Sequence, residues 1–529
     1  MDAEQITPEQ ASELVNNGDG IITSGFVGNG FPEALAVFIE KRFIETGEPR
    51  GISAFFVAGQ GDGKERGLNH FGHEGFLKFI IGSHFGLAPK VANLVLKEKV
   101  EAYALPQGVM SHLIRAASGN KPGIITHVGL GTFVDPRRQG GALNSISKQK
   151  FVELVEIEGR EYLFYKSKPL KKANVALIRG TTADLDGNIT MEKEVGTLEV
   201  LSIATLVRNN GGIVIAQVER VAEKGTLKPK DVKVPGHLVD YIVKSPSEDY
   251  HWQTFAEKYN PGLSGEIRVP ISEFPKLPLN ERKIIGRRGV FELKKGDIVN
   301  IGIGLPEAVA SVAAEEKIFD FFLLTVEAGP IGGIPAGGLS FGASLNPSAI
   351  IDQPYQFDFY DGGGLDIAFL GMAEVDEEGN VNVSKFGGRL PGPGGFINIS
   401  QNAKKVVFCG TLNTGAEITV ENRFLRILKE GEKKKFVKEV EHVTFSGKYA
   451  IKREQEVFYV TERAVFKLTK KGVELIEIAP GVDLERGILS QMDFEPIVRE
   501  TKQMNAKIFS EEIMGLRKLY ESLGGDKID

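Results

Sequence analysis

The chain carries one pattern twice. Asn174–Thr190 (NVALIRGTTADLDGNIT) and Asp366–Asn382 (DIAFLGMAEVDEEGNVN) match over equal length. Each has a buried-strand run, a charged stretch and a Gly-Asn step, at Gly187-Asn188 and Gly379-Asn380, before a second strand. A second pair lies upstream of each copy. Gly18-Asp19-Gly20-Ile21-Ile22 leads to GFPEALAVF, and Gly296-Asp297-Ile298-Val299-Asn300 leads to GIGLPEAVASVA. Both read as strand, glycine loop, then Pro-Glu-Ala opening a helix, where proline's missing N–H costs nothing. Two unrelated folds would not share both elements in the same order, so the repeat implies two homologous domains.

Further apolar runs recur at Ser53–Ala58, Gly123–Thr126 and Gly212–Val218, with helical patterns between several of them. Strands alternating with helices favour parallel βαβ units. The fold class is therefore α/β, with two open α/β domains fused in tandem at residues 1–245 and 289–529. Residues 246–288 are Pro-containing, polar and without clear periodicity. They read as an interdomain linker too long for a simple connection, in which Trp252, Phe255 and Tyr259 are available for packing.

Composition narrows the function. In 529 residues, 42% are hydrophobic and 25% charged, which describes a globular chain rather than a disordered one. Lys+Arg 64 against Asp+Glu 70 gives a net charge of −6 and no overall basic field for a nucleic acid. Cys409 is the single cysteine, so an internal disulfide and a cysteine metal cluster are both out, and a reducing cytoplasm is the simplest setting. The start, MDAEQITPEQASELV, lacks the basic segment and apolar run of a signal peptide. No apolar stretch reaches the roughly 18–20 residues that span a bilayer. The run Lys429–Lys438 reads as a solvated loop or hairpin rim.

Several familiar chemistries fail on context. His70 and His73 have helical spacing but no third ligand in view, so they read as surface or loop histidines. Gly338-Leu339-Ser340-Phe341-Gly342 has the G-x-S-x-G spacing of a nucleophilic serine, yet a glycine-rich stretch and not a buried strand precedes it. Gly25-x-x-Gly28-x-Gly30 reverses the dinucleotide fingerprint, and no phosphate-binding G-x-x-x-x-G-K-[ST] exists. The stretch that stands out is Phe321–Gly338. Its apolar run ends at Val326, and Glu327 follows at once. Ligands in open α/β sheets bind at the carboxyl ends of strands, which puts Glu327 where chemistry is usual. Its alternatives are capping a helix or pairing with a lysine. The chain has 63 glycines. Some of them, in Gly329–Gly338 and Gly387–Gly395, can line a channel or present N–H groups to an oxyanion.

With those residues in view, the chain resembles a family I CoA-transferase with fused α and β subunits. It is nearest the acetate/propionate branch and related to succinyl-CoA:3-ketoacid CoA-transferase. NGDGIITSGFVGNGFPEAL, LPQGVMSHLIRAA, HVGLGTFVDPRRQGG, VEAGPIGG, LPGPGGFINIS and TERAVF carry the likeness in order along the chain. Thr23 and Ser24 depart from the family's N-terminal signature, which has an aliphatic residue and a glycine there. Val326-Glu327-Ala328-Gly329 replaces the ketoacid enzymes' S-E-N-G, keeping the glutamate.

The resemblance implies a ping-pong transfer of CoA between a short-chain acyl-CoA and a free carboxylic acid, with no metal or redox cofactor and with coenzyme A as substrate. Glu327 is then the nucleophile that becomes a glutamyl-CoA thioester. Gly394 and Gly395, with Gly25 and Gly28 from the first domain, are the oxyanion and CoA-binding glycines. Gln107 matches a glutamine that faces the acyl substrate, and Gln60 and Phe56 border the acyl pocket. The expected assembly is a dimeric or tetrameric homo-oligomer. Acetate, propionate, butyrate, lactate and acetoacetate all remain open as acids. An acyl-CoA hydrolase on the same scaffold and a non-catalytic ligand-binding regulator are the alternatives.

Overall fold

The computed structural model describes residues 3–270 and 276–522. The chain divides into two compact units. The first is Met1–Val269 with Val326–Asp361 and Gly387–Asn398; the second is Pro270–Thr325, Gly362–Phe386 and Ile399–Asp529. This differs from the linear division at 245 and 289, because two segments of the second half pack with the first. Their hydrogen bonds show why. Gln353 N–H donates to Leu198 O at 3.1 Å, Asn29 Nδ2 to Phe341 O at 2.9 Å, and Gly108 N–H to Asn398 Oδ1 at 3.1 Å.

In the first unit, strands β1 (Glu4–Ile6), β2 (Gly20–Thr23), β3 (Ile52–Phe55), β4 (Leu77–Gly82), β5 (Glu101–Ala104), β6 (Val175–Arg179), β7 (Ile213–Val218) and β8 (Tyr241–Lys244) form one sheet. Their order is β1-β8-β7-β6-β2-β3-β4-β5, and every neighbouring pair is parallel. The central strands are buried along their whole length, as a sheet covered on both faces requires. The chain builds outward from β2 to β5 and then returns to the other side at β6. The switch point, where such sheets bind ligands, is therefore beside β2. Gly123–Thr126 is a strand outside this sheet. It pairs antiparallel with Arg160–Lys166, because its half-exposed side chains suit a surface ribbon and not a doubly covered sheet.

In the second unit, β9 (Ile298–Ile301), β10 (Leu323–Thr325), β11 (Ile367–Gly371), β12 (Lys405–Cys409) and β13 (Glu456–Val460) run parallel in the order β10-β9-β11-β12-β13. That repeats β3-β2-β6-β7-β8 of the first unit. Strands β14 (Ala464–Thr469), β15 (Gly472–Ile478) and β16 (Ile497–Gln503) extend it. Its core includes Ile284, Val299, Val309, Phe369, Val407 and Tyr520.

The sequence repeat is also a repeat of bonding. Asp184 accepts from Asn188 N–H and Nδ2 at 2.9 and 3.0 Å, and Asp376 accepts from Asn380 N–H and Nδ2 at 2.9 and 2.9 Å. Asn188 Oδ1 then accepts from Gly236 N–H, and Asn380 Oδ1 from Gly447 N–H, each at 2.9 Å. Both of those glycines lie so close to the turn that a Cβ would meet a carbonyl, Asp186 O at 2.0 Å or Glu378 O at 2.1 Å.

The 246–288 segment is structured on both sides of residues 271–275, which lie outside the described residues. Gln253 Nε2 donates to Lys193 O at 2.7 Å, and Arg66 stacks over Trp252 at 4.3 Å. Asn280 caps the helix Glu281–Val290, which opens the described part of the second unit's core. Among the described residues, no helix is long and apolar enough to cross a membrane.

Candidate active site

Glu327 is separated from the end of β10 by Val326 alone and occupies the second position of a tight turn. Gly329 N–H donates back to Val326 O at 3.0 Å, and Val326 N–H donates to Pro330 O at 2.9 Å. The short strands Pro330–Ile331 and Ala349–Ile350 pair antiparallel beyond it. Ile351 N–H donates to Gly329 O at 3.1 Å, tying the turn down. Glu327 as a residue is buried, at 8% exposure. The segment Gly196–Glu199 lies alongside, since a Cβ on Gly196 would come 3.3 Å from Ala328 O. Glu199 is buried, with neither oxygen hydrogen-bonded. Burial, with repulsion from Asp352, pushes its carboxyl up to about 8.

Every site residue expected from the sequence falls in the first unit. The loop after β2 is held by the two residues that depart from the family signature. Ser24 Oγ donates to Gly30 O at 2.7 Å, and Thr23 Oγ1 to Gln60 Oε1 at 2.6 Å. This changes the expected roles of Gln60 and Phe56. Gln60 is fully buried, and its amide donates to Thr23 O and Gly25 O at 3.3 and 3.2 Å, so its polar atoms serve the scaffold. Phe56 is also fully buried, edge-on to Phe85 at 5.4 Å and beneath Gly82, where a Cβ would strike it at 2.2 Å. Both side chains are packed inside the protein. Gly28 is covered by Phe255, whose Cγ would lie 2.3 Å from a Cβ there. It admits an aromatic ring of the 246–288 segment where a CoA contact was expected. A Cβ on Gly25 would lie 3.1 Å from Phe31 and 3.2 Å from Gln60.

Gln107 and the second glycine loop meet at the carboxyl ends of β4 and β5. Gln107 N–H donates to Gly394 O at 2.9 Å, and Gly394 N–H donates to Ser83 O at 3.0 Å. The Gly394 N–H is therefore already engaged within the protein. Gly395 is buried, and its N–H has no partner among the described residues, which leaves it as the available donor of the pair. Buried N–H groups are nearly always satisfied, so one left open beside glycines and a glutamine suits a bound ligand. Gln107 is buried, at 2% exposure, and its Nε2 also lacks a partner. Sequence reasoning missed His84, which borders the same glycine. The available signal was its place just past a buried strand and before a glycine, the same logic that singled out Glu327.

His70 and His73 are not loose surface groups. His70 Nε2 meets Glu33 Oε1 at 3.0 Å, His73 Nε2 meets Glu40 Oε1 at 2.6 Å, and His70 Nδ1 meets Glu40 Oε2. Among the described residues, no group of three or more His, Cys, Asp or Glu is placed to hold a metal ion. Burial works against a charged His70, but the hydrogen bonds and charges of Glu33 and Glu40 prevail and raise it to about 9. An unfolded histidine titrates near 6.5. The stabilisation from this cluster is thus complete below about pH 6.5 and disappears as pH rises through about 9. It amounts to on the order of 3 kcal/mol. Urea unfolding at pH 6 and pH 9.5 should show this loss in the wild type and a much smaller one in His70→Asn; equal losses in both would exclude the cluster as its source. Ser340 ends a short 3-10 helix, Gly338–Ser340, and its Oγ meets Thr254 Oγ1 at 2.9 Å.

Comparison with known proteins finds relatives over nearly the whole chain. The coenzyme A transferase family model matches residues 5–245. A caffeate CoA-transferase of Acetobacterium woodii is 48% identical over 520 residues, covering 97% of this chain and 99% of that protein. The acetate CoA-transferase YdiF of Escherichia coli O157:H7 is 45% identical over 492 residues, 92% of each chain. The crystal structure of the YdiF apoenzyme superposes with a TM-score of 0.92 at 42% identity, covering 97% of each chain. Its thioester complex with CoA superposes at 0.91 and 41% identity, again over 97% of each chain. With nearly its whole length aligned to such relatives, the chain belongs to the coenzyme A transferase family.

Proposed function

We propose that this CoA-transferase moves CoA between a short-chain acyl-CoA and a free carboxylic acid through a glutamyl-CoA thioester on Glu327. The buried glutamate in its tight turn carries this reading. It attacks the thioester carbonyl, giving an acyl–glutamyl anhydride and CoA thiolate. The thiolate attacks the glutamyl carbonyl, the donor acid leaves, and the thioester remains on the enzyme. The acceptor acid then runs both steps in reverse.

Each tetrahedral intermediate needs a donor for its oxyanion, a contact worth about 3 kcal/mol. Gly395 N–H is the residue we assign to it, with Gln107 Nε2 orienting the acyl group. Burial of Glu327 protects anhydride and thioester from hydrolysis. The same reading makes the protein a cytoplasmic homo-oligomer.

Incubation with acetyl-CoA followed by borohydride should reduce the thioester to an alcohol, and the mass change should localise to the peptide containing Glu327. No covalent species, or free CoA released catalytically without an acceptor acid, would overturn the transfer mechanism. Because one relative is named for acetate and another for caffeate, the acceptor panel should span aliphatic and aromatic acids.

A further inference from the structure

Gly394 is flanked by the side chains of Gln107 and His84. A Cβ built there would lie 3.7 Å from Gln107 Oε1 and 3.8 Å from His84 Cδ2, with nothing nearer. His84 is fixed in that position from three sides. Phe85 N–H and Gly86 N–H donate to Pro391 O at 2.6 and 3.2 Å, and Ser83 O accepts from Gly394 N–H. A Cβ at Gly392 would come 2.6 Å from Ser83 O, so the two loops touch backbone to backbone. The imidazole also lies between two further glycines. A Cβ at Gly59 would meet Nδ1 at 2.5 Å, and one at Gly86 would meet Cε1 at 3.0 Å. Nδ1 is buried without a hydrogen-bond partner, as is Gln107 Nε2. Nδ1 lies on the Gly59 side of the ring, and the ring edge at Cδ2 faces Gly394. Buried polar atoms left unsatisfied on both side chains that flank this glycine are costly unless a ligand supplies a missing partner.

We propose that His84 is a second polar contact for the acyl group, acting beside Gln107 and donating a hydrogen bond from its imidazole to a carboxyl or thioester oxygen of the substrate. This rests on the transfer reading above and adds a specificity residue to it. Burial lowers the ring to about 4, so it is uncharged at neutral pH. That suits a ping-pong site, which must hold a carboxylate in one half-reaction and an uncharged thioester in the other. A fixed cation would favour the free acid in its ground state and bind it without accelerating transfer. An uncharged donor serves both.

The test uses the full-length enzyme and its His84→Ala and His84→Gln variants, with acetyl-CoA as donor and propionate as acceptor. One neutral hydrogen bond is worth about threefold to tenfold in binding. His84→Ala should raise KM for the acid by that factor with a smaller change in kcat, and His84→Gln, which restores an N–H near the same place, should recover most of it. In the wild type, kcat/KM should show no histidine limb between pH 5.5 and 8. Unchanged KM in His84→Ala, with the borohydride-trapped adduct still forming, would overturn the role of His84 alone. Loss of melting temperature with KM unchanged would likewise reduce His84 to a structural residue. Absence of any adduct in the wild-type protein would instead overturn the transfer mechanism, and this contact with it.

Discussion

Glu327→Gln should lower the transfer rate by about 10⁴-fold or more, the scale on which enzymes lose activity when a covalent nucleophile is removed. The substitution keeps the length and shape of the side chain, so a turn held by Gly329 N–H and Ile351 N–H should survive it. What changes is the chemistry: a carboxamide does not form the anhydride, and no thioester follows. Glu327→Asp retains the charge but withdraws it by one methylene, and misplacement of about that size costs roughly 10²-fold in related situations. The order wild type, Asp, Gln should hold both in a coupled transfer assay and in the yield of borohydride-trapped adduct. A Gln variant with more than about 1% of wild-type turnover, after exclusion of deamidation by mass, would remove Glu327 from the mechanism.

Gly329→Ala should reduce kcat by about 10²-fold while leaving most of the fold intact. Gly329 sits at φ +122, where an L side chain is strained, and its Cβ would fall 2.0 Å from Ile351 O. Backbone strain of this kind costs about 1–3 kcal/mol, and overpacking adds a similar amount. The contacted atom is a main-chain carbonyl in the segment that clamps the turn, so it cannot simply rotate away. The relief available is a shift of residues 326–329, which carries Glu327 out of register with its substrate. Steady-state kinetics should therefore show the loss mainly in kcat, accompanied by a fall of several degrees in melting temperature. Wild-type kcat in a variant confirmed by mass would show that the turn's geometry does not control the nucleophile.

The two expectations differ in how visible they were from the sequence. Glu327 could be singled out because an apolar run ends one residue before it, and a strand's carboxyl end is where open sheets bind ligands. Gly329 was one glycine among 63. Only coordinates reveal that its missing Cβ would collide with Ile351, a residue 22 positions away that no local pattern connects to it.

The repeat shows the same contrast on a larger scale. Matching strings at 174–190 and 366–382 were enough to require two like α/β halves, because strand, turn and Gly-Asn step are encoded within a few neighbouring residues. Their equivalence extends to the Asp184–Asn188 and Asp376–Asn380 bonds. The grouping of segments into units was not encoded that way. Val326–Asp361 and Gly387–Asn398 leave the half to which they belong in sequence, because their donors and acceptors find partners at Leu198, Asn29 and Gly108.

The site residues divide along this line as well. Position at a strand end singled out Glu327, and the family resemblance pointed to Gln107. The sequence could not tell Gly394 from Gly395, because the distinction is whether Ser83 O already takes the N–H. Nor could it see that Gln60 and Phe56 face inward, or that Phe255 covers Gly28. Sequence determined the elements, their duplication and the chemical groups at hand, since each follows from local periodicity and composition. Tertiary structure alone decided which of those groups are already satisfied by the protein, since hydrogen-bond saturation and close packing depend on partners that are distant in the chain.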